Sequence, residues 1–205
     1  MPDALIRFYN GNYFNTIKAS SSLASNPVFT LPIDDGDSGE ILKTDGNGVL
    51  DWTPASSGNF KQHAYTSTGA YSTGTTQVPD DNTIPQNTEG VEFMTRAITP
   101  QATDNDLIIT AHANWSHSGT GMVVMSLFQD STANALASVV MRNDSVDTMY
   151  SSSLTYRMAA GTTSSTTFKI RIGSNASGTI RLNGVAGQLY GGVLSSTITI
   201  FELDI

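Results

Sequence analysis

Apolar and polar residues alternate with a period of two along the clearest stretches of this 205-residue chain. Phe168, Ile170 and Ile172 fall to one side of their segment, Lys169 and Arg171 to the other. Leu154, Tyr156 and Met158 stand in the same relation to Thr155 and Arg157. A strand with one face in a core and one in water reads this way. Between clusters of Gly, Pro, Asn, Asp and Ser, the pattern predicts strands over 61–66, 91–98, 107–115, 122–129, 136–142, 151–158, 166–173, 179–182 and 196–203. Only 131–137 tolerates a helix, and it is short. Eight or nine strands at this spacing predict an all-β unit, a β-sandwich or jelly roll, over 60–205.

Two stretches break the alternation. Met122-Val123-Val124-Met125-Ser126-Leu127-Phe128 is apolar on both faces, and Ile198-Thr199-Ile200-Phe201-Glu202-Leu203 changes phase midway. Subunits packing on each other would cover such strands on both sides, which makes Met122, Val124, Phe128, Ile198 and Ile200 candidate interface residues in a closed homo-oligomer. A β-bulge is the competing account of the last strand.

Residues 1–55 are organised differently. Short extended pieces are predicted at 5–9, 13–18, 27–31, 41–43 and 49–52, interrupted by Gly11, Ser20 to Ser22, Gly36 and Gly46 to Gly48. The last two pieces flank Asp45-Gly46-Asn47-Gly48, residues that accept positive φ, and so predict a tight β-hairpin. A unit of this size buries too small a fraction of its surface to fold unaided. Three copies wrapped about one axis would let Leu5, Phe8, Tyr13, Ile17, Phe29, Leu31, Ile41, Leu42, Leu50 and Trp52 share a core. The expected organisation is an intertwined, trimerising foot over 1–55, a linker at 56–59 in the Pro-, Ser- and Gly-rich stretch, and a knob over 60–205.

Composition narrows the chemistry. Lys and Arg number 10 against 18 Asp and Glu, a formal charge of −8, which repels phosphate backbones and argues against nucleic acid as a partner. There is no cysteine, so disulfides, thiolate metal sites and Cys nucleophiles are excluded. Charged residues are 14% and hydrophobic ones 39%, the balance of a folded surface protein and not of a disordered one. Met1-Pro2-Asp3-Ala4 begins neither a basic nor an apolar leader region, and no apolar run reaches the length of a membrane-spanning helix. The expectation is a protein made in a cytoplasm without a signal peptide and without membrane insertion.

The stretch from Thr30-Leu31-Pro32 through the acidic Asp34-Asp35-Gly36-Asp37 turn to Gly39-Glu40-Ile41-Leu42-Lys43-Thr44-Asp45-Gly46-Asn47-Gly48-Val49-Leu50-Asp51-Trp52 resembles a module of bacteriophage fibre and virion-surface proteins. There it precedes a trimeric β-sandwich knob similar to tumour necrosis factor and complement C1q heads. Ala97-Ile98-Thr99-Pro100, the run from Leu127 to Ala137 and the closing Ser195 to Glu202 are similar to the knob pattern. The resemblance implies an all-β homotrimer on the phage particle: either a capsid decoration, cement or head-fibre protein that binds the major capsid protein, or the tip of a tail fibre that joins tail components and recognises a host cell-surface glycan or protein. Because the module starts close to Met1 and leaves little room for a shaft, decoration is the favoured expectation.

Candidate chemistry is sparse. Asp34, Asp35, Asp37, Asp45, Asn47 and Asp51 could offer oxygens to Ca²⁺, but turn formation accounts for the same residues. His112 and His117 are five apart and point to opposite faces of a continuous strand. No G-x-S-x-G elbow, catalytic triad or phosphate-binding glycine loop is present, so no catalytic residue, cofactor or enzymatic activity is expected. Tyr71, Trp115, His117, Tyr150 and Tyr190, read as lying in loops or at strand ends, are the candidate surface-binding residues.

Overall fold

The computed structural model describes strands 5–10 and 13–18 as backbone, and residues 28–55 and 59–204 in full. The chain divides into two compact units, 1–56 and 57–205, and the described elements are strands apart from one short 3₁₀ turn.

In the N-terminal unit, β1 (Leu5–Asn10) and β2 (Tyr13–Lys18) pair antiparallel, Leu5 opposite Lys18 and Asn10 opposite Tyr13. The side chains of Leu5, Phe8, Tyr13 and Ile17, expected in a shared core, lie outside the described ones. β3 (Glu40–Thr44) and β4 (Leu50–Pro54) form the hairpin that the Asp45-Gly46-Asn47-Gly48 turn calls for. Asp45 Oδ1 closes it by accepting from the Asn47 and Val49 amides at 2.7 and 3.1 Å. The Thr30-Leu31-Pro32 segment lies parallel to the second strand: Thr30 N donates to Gly48 O, and Leu50 N to Thr30 O, both at 2.8 Å.

Trp52 ties the rest of the motif together. Its indole Nε1 donates to Asp34 O at 3.0 Å, and a Cβ on Gly36, where φ is +71°, would stand 2.6 Å from the ring. A side chain at either Gly36 or Gly48 is therefore barred twice, by backbone conformation and by space. The motif is a local tertiary structure in which every glycine and the tryptophan has a mechanical use.

The second unit contains β5 (Phe60–Thr68), β6 (Ser72–Gly74), β7 (Val91–Ile98), β8 (Asp106–His117), β9 (Gly121–Gln129), β10 (Ala137–Asn143), β11 (Met149–Ala159), β12 (Thr166–Ser174), β13 (Ile180–Leu182) and β14 (Ser196–Leu203). One sheet runs β10-β9-β12-β7. In the other, β8 pairs along its whole length with β11; its opposite edge pairs with β14 and then with β13, which continue to β5 and β6. All these ladders are antiparallel. Phe168, Ile170 and Ile172 from one sheet and Leu107, Ile109, Ile198 and Ile200 from the other form one buried cluster, the core of a β-sandwich.

Two expectations about interface residues are corrected by this core. Ile198 and Ile200 are fully buried within a single chain and cannot also serve as subunit contacts. Phe128 stands on the opposite face of β9 from the core yet is only 1% exposed. Its own chain accounts for that. The 77–90 connection is hydrogen-bonded to the 131–135 turn, with Asn87 N donating to Ala133 O and Ala135 N to Pro85 O. Arg171 of β12 holds the same connection through Glu89 O and Gly90 O, both at 2.8 Å. The second apolar face of β9 is thus covered within the chain at Phe128, while Met122 and Val124 further along remain partly accessible.

Candidate functional site

The outward face of the β5-β14-β8-β11 sheet is the first surface of interest. Cross-strand register sets three rows: His63, Phe201, Ile108 and Arg157; Tyr65, Thr199, Thr110 and Thr155; Ser67, Thr197, His112 and Ser153. Arg157 is the one charged residue among these twelve, and Asp106, itself largely buried, holds it in an ion pair. The rest are hydroxyl, imidazole and apolar groups. Phe60, His63 and Phe201 group at the end of β5 with ring centroids 6.2 to 6.3 Å apart, and Phe60, Tyr65 and Phe201 are exposed in one chain. On a chain of net charge −8, such a face lacks the repulsion that keeps copies apart elsewhere.

His112 Nδ1 lies 2.9 Å from Ser153 Oγ on this face. The contact is a cross-strand pair on an open sheet, and among the described residues no carboxylate orients the imidazole as a nucleophile's base requires.

The acidic residues of the N-terminal unit gather around a concavity of about 300 Å³ lined by Asp34, Asp35, Gly36, Asp37, Glu40, Asp51 and Trp52. Three of them accept backbone hydrogen bonds nearby: Asp34 Oδ1 from Gly36 N at 3.3 Å, Glu40 Oε2 from Asp37 N at 2.8 Å, and Asp51 Oδ1 from Trp52 N at 3.0 Å. The hydrogen bond from the Asn47 amide, the largest cause, holds the Asp45 carboxyl below its ordinary range; desolvation opposes it, and the Val49 amide and Asn47 side chain add to the lowering. Among the described residues no three of these groups converge as a metal-ligating set, and backbone hydrogen bonds occupy the carboxylates of Asp34, Asp45 and Asp51.

The five surface candidates separate cleanly. Trp115 is 0% exposed, its Nε1 donating to Ser152 Oγ at 2.9 Å, so it belongs to the core and not to a binding surface. His117 is equally buried, and neither ring nitrogen has a hydrogen-bond partner. Both corrections have one cause: β8 continues to His117 and carries these side chains inward, whereas the sequence pattern predicts a strand that ends at Trp115. Tyr150 stacks on Trp115 at 5.1 Å, and Tyr71 is half-buried with its hydroxyl donating to Val185 O at 3.3 Å. Tyr190 alone stands free, 76% exposed.

Sequence reasoning passed over two features. Glu202 points into the core end of the sandwich and is fully buried. Its Oε1 accepts from Asn105 Nδ2 at 2.6 Å and Gln101 N at 2.7 Å, and its Oε2 from Gln62 Nε2 at 2.5 Å. Asn183, also buried, donates from Nδ2 to Thr68 O and Ala70 O and accepts from Ser196 Oγ, fixing the chain before the Tyr190 loop. An uncapped polar residue at a core position of the alternating pattern was the available signal for Glu202.

No family model and no curated protein matches the chain. Among solved structures, similar ones include dimeric latent PorU from Porphyromonas gingivalis, at 9% identity and TM-score 0.36, covering 73% of this chain and 14% of that one. The VP2 subviral particle of infectious bursal disease virus is similar at 13% identity and TM-score 0.29, over 76% of this chain and 40% of that one. The enzymatically active domain of tailspike protein 4 from bacteriophage CBA120 is similar at 16% identity and TM-score 0.24, over 60% of this chain and 18% of that one. Likenesses this distant carry no argument about function, and the chain spans less than half the length of each.

Proposed function

We propose that this chain is a non-enzymatic structural protein of a bacteriophage virion surface: a homotrimeric capsid decoration, cement or head-fibre protein that attaches by its N-terminal unit and exposes its second unit as a jelly-roll knob. The observation that carries the reading is the apolar surface that one copy leaves open. Val28, Phe29, Leu31, Ile33, Ile41, Leu42 and Val49 are all exposed in the single chain, at a density that other chains must cover. Ile41 and Leu42 are successive strand residues and point to opposite faces, so the hairpin is uncovered on both sides.

The wiring of the second unit supports the knob. Lettering β5, β7, β8, β9, β10, β11, β12 and β14 from A to H gives sheets A-H-C-F and B-G-D-E, the alternation of an eight-stranded jelly roll. The nearly charge-free A-H-C-F face supplies the knob's contribution to self-association, in place of Phe128, Ile198 and Ile200. The virion assignment and the major capsid protein as partner rest on the resemblance of the ILKTDGNG module.

The test is to incubate tagged protein separately with stripped capsids and with host cells. Saturable retention on capsids, lost when residues 1–30 are altered while the second unit stays folded, is the expected result. Retention on cells alone would instead establish the second reading, a receptor-binding tail-fibre tip, which the freely exposed Tyr190 favours.

A further inference from the structure

The loop between β13 and β14 holds its aromatic tip in a conformation that a tyrosine rarely adopts. Tyr190, Gly191 and Gly192 have φ of +49°, +62° and +87° in succession. Glycine takes this region freely; an aromatic residue enters it only where the surroundings fix the backbone. Here they do. Leu189 N donates to Asn183 O at 3.4 Å, Gly192 N to Leu189 O at 3.1 Å, and Gln188 Nε2 to Gly69 O at 2.9 Å. Gly69 and Gly192 pack backbone to backbone, so closely that a Cβ on Gly69 would lie 1.8 Å from Gly192 O. The neighbouring chain is fixed in turn by the buried Asn183, through Thr68 O and Ala70 O.

The fixed loop turns its side chain outward. Tyr190 is 76% exposed, its hydroxyl makes no hydrogen bond among the described residues, and Val193 beside it is exposed as well. No Lys, Arg, Asp or Glu occurs from Gln62 to Pro79 or from Leu182 to Phe201, so the two segments that meet here offer only neutral surfaces: hydroxyl, amide, backbone, ring and aliphatic groups. Placement matters too. The chain enters the second unit at Phe60, and the loop packs against Gly69 just beyond the far end of the same strand, a separation of about 30 Å for nine extended residues.

We propose that the loop pair 67–72 and 183–195 is a contact site for an uncharged carbohydrate, with the Tyr190 ring as stacking platform and the backbone and amide groups of Gln188 to Gly192 as hydrogen-bonding partners. A pyranose presents an apolar C–H face and a rim of hydroxyls. A rigid exposed ring set among neutral donors and acceptors matches both. Anionic sugars gain nothing here, because no cationic side chain stands in either segment. The proposal rests on the second unit being an outward-facing knob and is indifferent to whether the particle contact is capsid or tail.

The test uses the full chain, isotope-labelled, titrated with methyl glycosides of neutral hexoses, deoxyhexoses and N-acetylhexosamines, with glucuronate and N-acetylneuraminate as charged counterparts. Shifts confined to Tyr190, Gly191, Gly192 and residues 67–72 for at least one neutral sugar are expected. Tyr190→Ala should weaken binding about tenfold, the loss of one stacking contact, while Tyr190→Phe stays within about twofold. Retention on dextran, mannan or galactan beads, set against the soluble glycosides, separates a polymer-borne ligand from a free one. No loop-confined shift with any neutral sugar, equal binding by Tyr190→Ala, or preference for the charged sugars would overturn the proposal. Sedimentation of the wild type reads the assembly separately: an intact oligomer that shifts with no neutral sugar defeats only the loop site, whereas a monomeric wild type defeats the homotrimeric knob reading.

Discussion

Glu202 shows how a residue can mislead a pattern and then explain it. Along β14, Ser196, Ile198, Ile200 and Glu202 all face inward, so the apparent change of phase is an unbroken alternation with a carboxylate in the last core position. Register does shift against β5 between Glu202 and Leu203, but the inward series is complete before it. Burial pushes the Glu202 carboxyl up as the largest single effect. Hydrogen bonds from Asn105, Gln62 and the backbone at Gln101 and Ala102 together outweigh it and hold the group below its ordinary value of 4.5. A carboxylate depressed in the fold contributes stability that is present above its unfolded value and lost as pH falls through the folded one. Glu202→Gln should therefore cost about 1–3 kcal/mol at neutral pH and flatten the acid limb of stability below about pH 4.5, measured by denaturant melts across that range. His117 works at milder pH. Burial, the largest cause, pushes its pKa below 6.5; the Gly119 carbonyl pulls the other way, and the charge of Arg181 adds a smaller push downward. Asp147, paired with Arg181, is the acid nearest the site by contact, its amide donating to His117 O. The fold keeps His117 neutral while the unfolded chain protonates it, so stability is complete above pH 6.5 and falls below it, by at most tenfold in the folding constant per pH unit. His117→Phe should remove that slope between pH 7 and 5 in thermal melts; an unchanged slope would assign it to another group.

At the scale of elements, most of the sandwich was legible and the exceptions have physical causes. Val91–Ile98 and Ser196–Leu203 are read from the sequence to the residue, because turn formers bound each, Gly90 and Pro100 the first, Ser195 and Asp204 the second, even though neither shows a clean alternation in sequence. β6, Ser72–Gly74, carries no apolar side chain and is too short to show a period; it exists because Ile180–Leu182 presents an edge to pair with. β9 misled for a different reason. A doubly apolar strand announces a cover but cannot say whose, and Phe128 is buried by its own chain, beside a 77–90 connection whose backbone bonds to the 131–135 turn join residues distant in sequence. The opening motif was legible as a hairpin but not as a three-part clamp, since the Trp52 to Asp34 bond spans 18 residues and leaves no periodicity. That clamp is testable. Gly48→Ala places a Cβ 2.3 Å from Val28 O at a φ of +97° and should cost on the order of 2 kcal/mol, unseating the 28–31 segment. The expected signature is faster proteolysis within residues 28–55 and a moved Trp52 indole resonance, with the Trp115 indole unchanged because it is buried in the other unit. Loss of both indole signals together would show that the motif also supports the sandwich.

Across the whole molecule, the two units differ most in whether they close a core. The second unit closes a core around Trp115, Phe168 and Leu107 with nothing missing. The N-terminal unit, among its described residues, closes none: Leu31 is 70% exposed, and Ile41, Leu42 and Val49 are each close to half exposed. Covering one such side chain is worth about 1.5–3 kcal/mol, and a threefold assembly collects that gain in every copy at once. A stable sandwich with an unsatisfied appendage thus predicts separable behaviour. If the proposed homotrimer forms through this surface, Leu31→Asp combined with Ile41→Asp should give a smaller species than the wild type in sedimentation, while the melting temperature of the second unit moves by no more than a few degrees. Phe201→Asp, which sets three acids against one another on the charge-free sheet face if that face meets its copies, should loosen the assembly without touching the N-terminal clamp. Should the double variant keep the wild-type sedimentation coefficient and Phe201→Asp alone dissociate it, the copies are held by the sandwich face, and the apolar surface of the N-terminal unit is free for the particle. If both variants are needed, the two surfaces act together, and the particle attachment proposed above would have to use what the assembled N-terminal units still leave exposed.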